Sequence, residues 1–430
     1  MGPGFPPLDE ELGLLPGSLA PSLVQSLVRL GTYMPFEPAA QMLAHFTRVE
    51  VGEATARRMT EKAGAAYVAV QTAELEKLKR ELPMGPEGPA LQQLSVDGAM
   101  VPLLHKEWAE VRTLAIGTVR QRLKDGEWEP HTEELSYFSR LANHMSFAEL
   151  ATVETHRRGT ARAGLVAGVV DGAEWEQVFI DLHRPDAVRI LDWGHSSGYV
   201  AAAARAVFGV GTAQSAEWLR VQLHELKHGD PGKVLAKLRG IKEELALAGG
   251  EALEVVSTSL EYLGKRADQI RYAEFIAAGY PIGSGIVESA NKLVVEARLK
   301  GAGMHWERGH VDPMVALRNV ACSGRWEEAW PQIAEFLRAE PKRRSAARRE
   351  ERKAAKRAAQ EAAAPTMEQP EELGAQPTAR SVRTKAVSAR ATGQATPGPR
   401  RPASDHPWRR MPVGRAASAT TSTPCTVPEM

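Results

Sequence analysis

Three carboxylates are placed where they could do chemistry. Asp97 follows the apolar stretch "LQQLSV", Asp171 follows "GLVAGVV", and each is followed by Gly-Ala. Glu288 stands in "GSGIVES", in the first turn of a predicted helix. An apolar strand ending in a carboxylate puts charge at the carboxyl edge of a sheet, where α/β folds bind ligands. Two such strands side by side would hold two like charges close together, which is favourable only around a cation. Mg²⁺ or Mn²⁺ suits such a site, because these hard ions take one or two carboxylates and keep positions for water or phosphate oxygens. Two such ions activate a nucleophile and stabilise a leaving oxygen in phosphodiester chemistry. A plainer alternative stands beside each residue. "DG" marks tight turns, and a first-turn glutamate is favoured by the helix dipole. Asp192, which ends "DAVRIL" just before His195, competes with Asp171 for the second position. Otherwise Asp192 and His195 form a supporting pair.

The elements that must position these groups follow from periodicity. "PFEPAAQMLAHF" and "GEATARRMTEKAGAAYVAVQ" read as two helices joined by "TRVEV", a helix-turn-helix pattern. The second would offer Glu53, Thr55, Arg57 and Arg58 to DNA near its start. "PMGPEGPA" is a linker by composition. Three strand candidates follow, "LQQLSVDGAMVPL", "EWAEVRTLAIGTV" and "EPHTEELSYFSRL". A helix, the strand before Asp171, a second helix and the strand before Asp192 come next. That order predicts a mixed α/β sheet flanked by helices. Residues 201–278 read as helical throughout, as do those after the Glu288 stretch. Five regions result: a helical DNA-binding region (1–82), the first part of a sheet core (91–200), an all-helical insertion (201–278), C-terminal core helices (279–340) and a basic, mostly disordered tail (341–430).

Bulk properties narrow the class. No run of about 18 apolar residues is present, so no membrane span is expected. The N-terminus lacks the pattern of a signal peptide. Cys322 and Cys425 alone cannot build a disulfide framework, so a reducing cytoplasm is expected. The net charge of +1 hides an asymmetry. From Pro341 onward there are 18 Lys+Arg against 8 Asp+Glu, leaving 36 against 45 in the body. The acidic body argues against broad nonspecific nucleic-acid binding, and the basic tail favours it.

"LSVDGAMVPL", "VVDGAEW", "RILDWGH" and "YPIGSGIVESANKLVVEARLKGAGMHW" together resemble the insertion-sequence transposases of the ISKra family. The resemblance spans residues 7–330, and "GSGIVES" with "RLKGAGMHW" is its most specific part. It implies a DDE enzyme with a ribonuclease H-like core, Asp97, Asp171 and Glu288 as catalytic acids and metal ligands, and two Mg²⁺ or Mn²⁺ ions. It also implies DNA ends and target DNA as partners, a homo-oligomer on DNA, and a bacterial, nucleoid-associated location. Arg298, Lys300 and His305, on or after the glutamate helix, are candidates for phosphate contact or else part of a solvated face. Family members usually begin with a cysteine-bearing segment that this chain lacks. The rival expectations are therefore a truncated relic that binds DNA without cutting it, and a metal-dependent nuclease that does not transpose.

Overall fold

In the computed structural model, the structure describes residues 19–362 apart from 248. Three helices come first, α1 (Pro21–Tyr33), α2 (Phe36–Thr47) and α3 (Glu53–Glu81). The expected helix pair is present, but α3 runs ten residues past its expected end. Its extension "TAELEKLKRE" is rich in good helix formers and buries Leu75. Strands β1 (Leu91–Pro102), β2 (Trp108–Lys124) and β3 (Glu127–Arg140) follow, then α4 (His144–Arg157), β4 (Leu165–Val170), α5 (Glu174–His183) and β5 (Val188–Leu191). The sheet has the order β3-β2-β1-β4-β5, with β1 to β3 antiparallel and β4 and β5 parallel to β1. This is the mixed sheet that the element order predicted.

Alternation along β1 sorts the layers. Leu94 and Val96 face one side and pack with Phe147 of α4 and Phe179 of α5. Ala99 and Val101 face the other, against Val287, Ala290 and Val294. That second side carries α11 (Gly285–Ala290), which follows the helical insertion. The insertion comprises α6 (Trp193–Phe208), α7 (Ala213–His228), α8 (Pro231–Leu245), α9 (Glu251–Gly264) and α10 (Tyr272–Ala277). It packs its own apolar faces on Ala167 and Val169 of β4 and on Ile190 and Leu191 of β5.

Helix α12 (Arg308–Cys322) and the long α13 (Trp326–Ala362) close the body. Trp306, Trp326 and Trp330 are buried, as core residues rather than exposed stacking platforms. The chain does not leave the helix at Pro341, where the tail was expected to start. Helix α13 continues to Ala362 through an Ala/Arg/Lys/Glu-rich stretch of high helix propensity. The rest of the expected tail lies outside the described residues.

Helices α3 and α12 meet at Gly64. A Cβ built there would stand 2.8 Å from Pro313 Cα, against backbone that cannot yield as a flexible side chain would. Gly64→Ala should therefore destabilise by about 1–3 kcal/mol through overpacking, despite the better helix propensity of alanine. A urea midpoint unchanged or raised would contradict this close approach.

Candidate metal centre

The parallel pairing of β1 with β4 runs from Leu91 opposite Leu165 to Leu94 opposite Gly168. The same register carried three residues further sets Asp97 beside Asp171. Asp97 was expected at the end of its strand. It lies instead in the middle of β1, opposite Thr113 of β2, because the β1–β2 pairing continues to Pro102. What ends near Asp97 is the pairing with β4, so the carboxylate still stands at the carboxyl edge of the parallel part.

Asp97, Asp171 and Glu176 each offer an oxygen, and these oxygens all lie within 4.8 Å of one another. The trio could hold a metal ion. Glu176 was not singled out in the sequence. It is the third residue of α5 and only 1% exposed, and its Oε2 accepts from the N–H groups of Gly172 (3.0 Å) and Ala173 (3.1 Å). The legible signal was a glutamate in the first turn of the predicted helix "AEWEQVFIDLH", where a carboxylate is favoured by the dipole and by the free N–H groups. Burial first, then Asp171, pushes the Glu176 carboxyl up to about 10. Burial also raises Asp97, with Asp171 adding to it, while the Gly98 N–H and Asn291 act against it.

Asp171 is held by the insertion. Tyr262 of α9 donates to the Asp171 carbonyl, and Arg266 donates to the carbonyl of Gly172 (Nε, 3.1 Å). Gly172 has φ +91°, the left-handed conformation that favours glycine, so this "DG" is a tight turn as well as an acid site.

Asp192 is engaged elsewhere. It caps α6, and its Oδ2 accepts from the His195 N–H (2.9 Å) and pairs with His195 Nδ1 (3.1 Å), while its Oδ1 accepts from the Ser284 N–H (2.7 Å). These hydrogen bonds outweigh burial and hold Asp192 down at about 2. Asp192 thus ties the end of β5 to the loop before Glu288, and Trp193 N–H donating to Ile282 (2.9 Å) adds to the tie. The folded value lies below the unfolded one, so Asp192 contributes stability above about pH 4, lost as pH falls toward 2. Asp192→Asn should flatten that acid limb of a stability–pH profile; an unaltered limb would remove Asp192 from the tie. His195, half-exposed, is raised first by Asp192 and further by Asp171 and Asp97.

Glu288 is exposed at the start of α11. It lines a shallow groove of about 430 Å³ with His195, Gly194, Gly198 and Tyr199. Gly283 and Gly285, just before it, make no left-handed turn: neither has a positive φ, and both have room for a side chain. The left-handed residue is Gly279, and hydrogen bonds fix the loop. Gln93 donates to the Gly283 carbonyl (2.9 Å) and Gln121 to that of Gly279 (3.1 Å). One turn after Glu288, Asn291 Nδ2 donates to Asp97 Oδ2 (2.9 Å), docking α11 on β1.

The candidate DNA contacts divide. Arg57 and Arg58 are exposed at the start of α3, and Thr55 is half-buried there. Lys300 is exposed but paired with Glu296 (2.7 Å), and His305 is exposed. Arg298 differs from its expected role as a phosphate contact. It is 2% exposed, donates to the Gly31 carbonyl (3.0 Å), and lies over the rings of Phe36 and Trp306. Its flat guanidinium joins α1 to the loop before α12.

"HELKH" in α7 has the residue types of a zinc-hydrolase helix. Its Glu225, however, is taken by the Asp230 N–H (3.0 Å) and Lys233 (2.9 Å), and among the described residues no third ligand joins His224 and His228. No helix is long and apolar enough to cross a membrane among the described residues. Neither a protein-family model nor a curated protein matches the chain.

Proposed function

We propose that the chain is a DNA transposase of the DDE class, similar to the ISKra-family enzymes, which cleaves transposon ends and joins the freed 3′-hydroxyl to target DNA. The observation that carries this reading is the juxtaposition of Asp97 and Asp171 on adjacent parallel strands, with the Glu288 helix docked on Asp97 through Asn291. The sheet order and the insertion between β5 and the glutamate helix support it.

The donor set fits Mg²⁺ or Mn²⁺, because it is all carboxyl oxygen and partly buried. Asp97 and Asp171 would hold the ions, with Glu288 closing the set from α11. Bound there, divalent ions supply Lewis-acid activation of the attacking oxygen and stabilisation of the leaving one. His195, whose imidazole is raised first by Asp192 and further by Asp171 and Asp97, lines the groove beside Glu288 and would offer positive charge to a phosphate that enters it. The start of α3, with Thr55, Arg57 and Arg58, would bind the transposon end.

One observation favours a second reading. Among the described residues the tight carboxylate trio includes Glu176, not Glu288. A non-transposing nuclease would use Asp97, Asp171 and Glu176 and leave Glu288 idle. The test uses the full chain, duplexes copied from the genomic flanks of its gene, and Mg²⁺. Transposition requires a nick at a defined position and joining of the 3′-hydroxyl to a second duplex. Nicking at random positions without joining supports the nuclease, and specific binding without nicking supports a binding-only relic.

A further inference from the structure

Asn291 is 6% exposed, and its amide is only half used. Nδ2 donates to Asp97 Oδ2 at 2.9 Å, while Oδ1 is buried with no hydrogen-bond partner. Turning the amide over gives no relief. It would set Oδ1 against the Asp97 carboxylate, two acceptors face to face. A buried amide oxygen without a donor costs stability. The neighbours that share its helix face, Val287, Ala290 and Val294, are apolar and buried, so an aliphatic residue would suit the packing. The fold alone does not ask for an amide here.

The backbone at this point is also unusual. Asn291 opens a π-helical turn, Asn291–Glu296, between α11 and the short helix Ala297–Leu299. Such turns insert one residue into a helix and recur at functional sites. The other Asp97 oxygen, Oδ1, accepts from the Gly98 N–H at 2.6 Å. Each oxygen of Asp97 is therefore oriented by one N–H donor and keeps lone pairs free for a cation.

We propose that Asn291 is a positioning residue of the acid centre: Nδ2 fixes the Asp97 carboxylate, and Oδ1 is the acceptor for a water carried by the divalent ion. The inference rests on reading Asp97 as a metal ligand. It accounts for the unpartnered oxygen, for the amide on an apolar face, and for the coupling of the Glu288 helix to β1. Side chains that orient metal ligands typically account for about 10–100-fold in metal affinity or activity.

The test compares wild type, Asn291→Ala and Asp97→Asn as full chains. Mn²⁺ binding is followed by electron paramagnetic resonance, and thermal unfolding is measured without metal. Asn291→Ala should bind Mn²⁺ about 10–100-fold more weakly, beyond whatever the loss of its hydrogen bond to Asp97 takes from the metal-free melting temperature. In the nicking assay its half-saturating Mg²⁺ should rise by the same factor, with the maximal rate recovered at high Mg²⁺. Wild-type Mn²⁺ affinity in Asn291→Ala overturns the proposal, whether or not the melting temperature falls, because a structural role alone leaves metal binding in place. A wild type that binds Mn²⁺ no better than Asp97→Asn overturns the metal reading itself, and the two failures are thereby distinguished.

Discussion

Asp97→Asn is expected to reduce nicking by roughly 10³-fold or more, about 4 kcal/mol of transition-state stabilisation, while leaving the fold intact. The substitution keeps the size of the side chain and removes the charge that would hold the ion. It also removes one member of a crowded set of acids. Burial and Asp171 both push the Asp97 carboxyl up, so its ionised form is unfavourable without a cation. Metal-free stability of the variant should hold or rise. The same physics fixes a pH dependence. Burial, then Asp171, pushes the folded Glu176 carboxyl up to about 10, above its unfolded value. The sign is thus opposite to that of Asp192: without metal, stability falls as pH rises from about 4.5 toward 10. Calorimetry with Mg²⁺ should show that the ion stabilises wild type and not Asp97→Asn. Equal stabilisation of both would place the ion elsewhere.

Much of the sheet could be read from the chain. The apolar runs before Asp171 and Asp192 became β4 and β5, because buried parallel strands leave near-continuous hydrophobic signals, while the stretch before Asp97 became β1 with Gln92, Gln93 and Ser95 buried in it. Positions that depend on distant partners could not be read. Arg298 looks solvent-facing in "EARLKGAG", yet it is buried because Phe36 and Trp306 offer it aromatic faces and Gly31 a carbonyl. Asp192 and Asp171 look alike as strand-end acids. Only the loop at Ser284 and the turn after β4 separate them, one tied up by N–H donors and the other set beside Asp97. Glu176 carried a helix-start signal, but its approach to Asp97 follows from the β1–β4 register, which a single strand does not encode.

The residue that decides between transposase and nuclease is Glu288. If it serves only the helix dipole, Glu288→Gln costs roughly 0.3–1 kcal/mol of stability and chemistry survives. If it is a metal ligand, stability is nearly unaffected and cleavage collapses. Glu288 is exposed, so packing does not require it, and it lines the same groove as His195. Glu176→Gln is the necessary companion, because among the described residues Glu176 joins the two aspartates in one carboxylate trio. It should lose part of the cap on α5 and gain metal-free stability at pH 8, where the wild-type carboxyl is under pressure to ionise.

The most direct measurement pairs affinity and chemistry on one preparation: gel-shift binding to the flank-derived duplex, and the nicking rate in Mg²⁺, for wild type, Glu288→Gln and Glu176→Gln. The transposase reading predicts that Glu288→Gln binds the duplex as wild type does and nicks at least about a hundredfold more slowly, a loss of roughly 2.7 kcal/mol. A Glu288→Gln variant that binds and nicks within a few-fold of wild type, while Glu176→Gln is inert, would contradict it and assign the third carboxylate to Glu176.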